Sequence, residues 1–144
     1  MTTTTRTAPP AVTLAVALWF TALGCGVAGT LVRLATPEPP GLVALAVRFA
    51  IYLGLAGLVL GLYSGRDAVR WAVALLMGLL GTASLVVEPL RWLAGGGAVP
   101  EFLAAADGPT IVIGVLRAVH VAAVLTALIM MFRPAANDWF RAVP

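Results

Sequence analysis

No lysine occurs in this chain, only one cysteine and one histidine occur, and charged residues fill just 10% of its 144 positions. Each shortage excludes something. A lone cysteine, Cys25, leaves no disulfide within the chain and no thiolate metal cluster. A lone histidine, His120, supplies neither the paired axial ligands of a b-type haem nor a complete zinc site, so no cofactor and no metal is expected. All nine basic residues are arginine and are scattered singly. With no basic run and no interleaved aromatics to track phosphates, nucleic acid is not an expected partner. Also missing are a Ser, His and acid set with suggestive spacing, a glycine loop followed by lysine, and two carboxylates within one helical turn. No reaction is legible, and the chain is expected not to be an enzyme. Gly95-Gly96-Gly97 lacks the phosphate-loop context and is expected to be a flexible joint.

What abounds is apolar. Hydrophobic residues make up 61% of the chain and the mean hydropathy is +1.02, which no ordinary soluble surface could absorb. A hydrocarbon core of ~30 Å needs about 20 apolar residues at ~1.5 Å each. Four runs meet that length, at residues 11–34, 42–63, 70–92 and 110–132, so residues 11–133 are expected to form an all-α, membrane-spanning four-helix bundle. The lipid bilayer is its expected surround.

The remainder is short. Residues 1–10, MTTTTRTAPP, have nothing to bury and predict a loose tail. Residues 36–41, TPEPPG, cannot continue a helix. Residues 64–70, SGRDAVR, predict a polar turn. Between the third and fourth runs, Pro100 at a first-turn position and Asp107 before Gly108-Pro109 bracket a short helix expected to lie on the membrane surface. Pro89 permits a kink late in the third span. Residues 134–144 predict a second polar tail, with Trp139 and Phe140 as interface anchors. Ala22-Leu23-Gly24-Cys25 departs by one place from a lipoprotein processing site, and apolar residues continue beyond it. Cys25 is therefore expected to be a small packing residue.

Arginine placement predicts orientation. Arg6, Arg66, Arg70, Arg133 and Arg141 fall at the end that carries both termini, whereas the opposite loops hold Glu38, Glu101 and Asp107 and no arginine. The positive-inside rule then places both termini in the cytoplasm, here of a bacterial inner membrane. Rows of small residues at four-residue spacing predict close helix contacts: Thr21, Cys25 and Gly29; Gly57, Gly61 and Gly65; Ala74, Gly78 and Thr82; Gly114, Ala118, Ala122 and Thr126.

The ionisable residues inside the spans gather in the half away from the termini. Arg48 lies ~9 Å into the second run, and Arg117 and His120 sit one helical turn apart in the fourth. With Glu88 they are the candidate ligand-binding residues: arginine forks for an anionic group, and Glu88 with His120 as a proton relay. The competing expectation is structural. Glu88 pairs with Arg48 or Arg117 inside the bundle, while Arg33 and Arg91 snorkel to headgroups beside Trp92.

The segment GRDAVRWAVALLMG, together with FRPAANDWF after the fourth span, resembles a loose class of small four-span membrane proteins of high-GC Gram-positive bacteria whose function is unassigned. LRAVH is similar to the Arg-x-x-His of copper-resistance membrane domains. The other histidines and methionine patterns of those domains are missing here, so no copper function is implied. Two roles follow as expectations. One is a non-enzymatic accessory or scaffold subunit packing against a membrane partner or a lipid; the other is a small oligomeric transporter or channel with an arginine-lined, anion- or proton-coupled site.

Overall fold

A computed structural model of the protein describes residues 7–141. The expectation of a loose amino-terminal tail falls largely on residues 1–6, outside the described residues, and residues 7–9 belong to no regular element. The described residues contain helices and no strand, and four of the helices are long and apolar enough to cross a membrane. They are α1 (Pro10–Leu34), α2 (Leu42–Ser64), α3 (Asp67–Ala94) and α5 (Gly108–Met131). Two short helices complete the described residues, α4 (Val99–Ala105) and α6 (Pro134–Arg141).

Local chemistry sets the helix ends. Proline stands at the first turn of α1, α4 and α5, where its missing N–H costs nothing. Asp107 caps α5 by accepting a hydrogen bond from the Thr110 amide at 2.9 Å. Gly65, at φ +71°, turns the chain between α2 and α3 in the left-handed region that side chains avoid.

α1 and α5 run antiparallel and form the axis of the bundle. The packed core lies entirely in the half that carries the termini. There Trp19 of α1, Leu62 of α2, Val73 and Met77 of α3, Met131 of α5 and Phe140 of α6 are all buried. Two buried indole N–H groups find partners: that of Trp19 donates to Met131 Sδ at 2.9 Å, and that of Trp139 to the Leu62 carbonyl at 3.3 Å.

Three expectations change here. Residues 134–141 are not a polar tail with interface anchors. They form the helix α6, which folds under the bundle and buries Ala136, Trp139 and Phe140 along one face. Arg70 is not in a solvated turn; it is only 6% exposed, sits over the rings of Phe132 and Phe140, and bonds Asp67 and Asn137. The small-residue rows are honoured only in part. A Cβ at Gly61 or Gly78 would press on Val69 or Leu128 at 3.1 and 3.2 Å, but at Gly29, Gly57 and Gly114 it would meet nothing within 4 Å.

α3 also departs from a plain α-helix. Residues Ala74–Gly81 wind as a π-helix, upstream of Pro89. A π turn takes more residues than an α turn, so everything beyond it is rotated relative to an α-helical continuation. Ser84, Leu85 and Glu88 thereby line a cavity facing α1 and α2, while the buried hydroxyl oxygen of Thr82 is left without a hydrogen-bond partner.

Candidate functional site

In the half away from the termini the helices part around a cavity of about 740 Å³, bounded by α1, α2, α3 and α5. All four residues singled out by depth in the sequence, Arg48, Glu88, Arg117 and His120, line it. Arg33 lines it too, at the exposed end of α1, whereas Arg91 is not among its walls.

The space exists because little fills it. α1 presents Cys25, Gly26 and Gly29 to the cavity, and these side chains are too small to reach across. The one close approach is at Gly26, where a Cβ would stand 3.0 Å from the Tyr52 hydroxyl. Tyr52 of α2 thus lies against the bare backbone of α1 and forms part of the floor.

Thr30 organises this wall. It is 1% exposed, and its hydroxyl donates its one hydrogen to the Gly26 carbonyl at 2.9 Å. The oxygen then has only acceptor capacity left, and two donors approach it: the Tyr52 hydroxyl at 3.4 Å and Arg48 Nη1 at 3.5 Å. Arg48 is steered toward the cavity by that contact, and its other N–H groups have no partner among the described residues. Thr30 and Tyr52 carried no sequence signal of their own. A polar pair that meets only across two helices has no local pattern to betray it.

Across the cavity, Arg117 Nη2 stands 3.8 Å from Glu88 Oε2, with the glutamate side chain 82% exposed. That distance is too long for a hydrogen bond, and an ion pair so exposed contributes little. The structural expectation had Glu88 neutralising an arginine inside the bundle; here it touches one loosely at the rim. Three arginines, Arg33, Arg48 and Arg117, against one glutamate leave two formal positive charges around the space.

His120 sits on the floor, ~18 Å along α5 from its start. Its Nδ1 lies 2.9 Å from the Ala22 carbonyl oxygen. A carbonyl can only accept, so Nδ1 carries a hydrogen, and Nε2 has no partner among the described residues. Below it, Trp19, Val124 and Met131 fill the interior. No group of three or more His, Cys, Asp or Glu side chains suited to a metal ion occurs among the described residues. The arrangement can do one thing well: offer several guanidinium forks to an anionic group held inside the bundle. No family model, curated protein or solved structure matches the chain.

Proposed function

We propose that this multi-pass membrane protein is a non-enzymatic binding protein that holds an anionic group, a phosphate or a carboxylate, in the arginine cavity between its four spans. The observation that carries the reading is the uncompensated charge. Arginine at membrane depth is expensive and is retained where it faces a partner or a water-filled space. Here Arg48 and Arg117 face a common space, and only Glu88 opposes them.

The setting completes the proposal. Arg66, Arg133 and Arg141 are exposed at the end with the termini, and Glu38, Glu101 and Asp107 at the other. That asymmetry favours a bacterial cytoplasmic membrane with both termini inside, and so a cavity in the outer leaflet. The transporter or channel reading draws on the same side chains, but the packed floor beneath His120 favours holding over conduction. The accessory-subunit reading has a separate support: only 6% of the most apolar window of α2 is buried within the protein, against 33% for α1, leaving α2 a broad face for a membrane partner.

Purified protein titrated with inorganic phosphate and with acetate tests the proposal. A ligand that binds only the folded state raises its stability with concentration. Either anion is expected to raise the melting midpoint of the native protein and to lose that effect in Arg48→Gln. A midpoint indifferent to both anions sinks the anion site.

A further inference from the structure

A second hollow, a groove of about 490 Å³, runs between α3 and α5, and Leu85 and Arg117 line both it and the arginine cavity. The rest of its walls are hydrocarbon, among them Val86, Pro89, Leu90, Ala118, Val121 and Ala122. Small side chains at Ala118 and Ala122 leave the space on α5, and both residues are exposed, so the groove is open to the side of the bundle. Arg117 is therefore a hinge between two chemistries: on one face a positively charged, hydrogen-bonding cavity, on the other an apolar trough at the depth of lipid chains.

We infer that the ligand is an anionic amphiphile, whose headgroup occupies the arginine cavity while one hydrocarbon chain passes Arg117 and lies in the α3–α5 groove. The inference rests on the proposed anion site and names its ligand class. Size separates this occupant from a partner helix. One turn of helix is a cylinder ~10 Å wide and ~5.4 Å tall, roughly 400 Å³, so the groove would hold about a single turn. It suits a flexible chain. Charge and polarity separate it from a free anion: a dissolved phosphate satisfies the cavity but gives the adjoining apolar groove no occupant. A lipid reaches both hollows by moving sideways from the bilayer, with its charged group delivered to Arg48 and Arg117.

The test uses the full chain in phosphatidylcholine nanodiscs doped with dioleoyl phosphatidic acid, released for native mass spectrometry, beside thermal titration with inorganic phosphate. Wild-type protein is expected to retain one phosphatidic acid. Ala118→Trp and Ala122→Phe each fill the groove from an exposed position that the core does not use. Both are expected to cut the retained lipid about tenfold while the response to inorganic phosphate is unchanged. Arg48→Gln is expected to lower both signals. Full lipid retention by both groove variants, with wild-type melting curves, overturns the inference; so does a phosphate response without any retained lipid, although the anion site then stands. Lipid and phosphate signals that are both indifferent to Arg48→Gln overturn the anion site and the inference together.

Discussion

The two ends of this bundle are built from similar helices and pack in opposite ways. Toward the termini, large side chains from five helices interlock: Trp19, Leu62, Met77, Met131 and Phe140 are buried, and Gly78 lets Leu128 come close. Toward the other end α1 and α5 offer the same kind of small residue, yet a Cβ at Gly29 or Gly114 would meet nothing within 4 Å. Small residues permit close approach but do not cause it. In lipid no hydrophobic drive closes the gap, so a complementary side chain must fill it. Where the facing residues are Arg48, Arg117 and Arg33, like charge and the need for solvation hold the helices apart, and the result is a cavity. A positive charge also lies in the packed end, but Arg70 is enclosed by Asp67, Asn137 and two aromatic rings. The contrast is between an arginine enclosed by its partners, with only its Nε left unbonded, and arginines that have one long contact or none.

The largest expected effects break the packed end. Trp19→Ala empties the centre of the core and is expected to cost roughly 4 kcal/mol, whereas Val47→Ala on the cavity wall is expected to stay within about 0.5 kcal/mol. Unfolding of the two variants in mild detergent reads the difference, and equal midpoints would erase the distinction between the ends. Next comes the enclosed arginine. Arg70→Ala leaves Asp67 and Asn137 without their partner, and an expected loss of about 3 kcal/mol sits at the low end of the range for a broken buried pair because Asp67 is half exposed. Arg70→Met restores contact with the rings of Phe132 and Phe140 but leaves Asp67 and Asn137 unpartnered, so it is expected to recover less than half of that loss; full recovery would mean that packing rather than the polar contacts holds α6 in place.

The smallest effect is a titration at the loop end. Hydrogen bonds from Thr110, its hydroxyl first and its amide second, hold the Asp107 carboxyl below its ordinary value of 3.8. A carboxyl whose pKa is lowered by folding stabilises the folded form above its unfolded value, and that contribution fades as pH falls through the lowered one. Amide protection at the first turn of α5, taken relative to the intrinsic exchange rate at each pH, is therefore expected to fall below the ordinary carboxylate range. Asp107→Asn caps without ionising and is expected to remove the pH dependence. An unchanged acid response in that variant would assign it to another group.

Much of this was open to reading in one dimension. The four spans announced themselves through length and hydropathy, and the breakers TPEPPG and Gly108-Pro109 separated them. The helical register of α6 was also present, because Ala136, Trp139 and Phe140 fall at i, i+3 and i+4, a spacing that places them on one face. Composition pulled the other way, since Asn137, Asp138 and Arg141 break the apolar run that marks the spans. The π stretch had no local signal at all: ALLMGLLG is apolar on every side, so its winding is set by what packs against it.

The sequence alone determined the solvent of this protein, the number of its spans and the depth of each ionisable residue, because these follow from run length and a fixed rise per residue. Only the tertiary structure decided which of those residues meet. Azimuth around each helix and the π winding of α3 depend on side chains distant in the chain. Through them Arg48 reaches Thr30, His120 reaches Ala22, and Arg117 comes to stand between a charged cavity and an apolar groove.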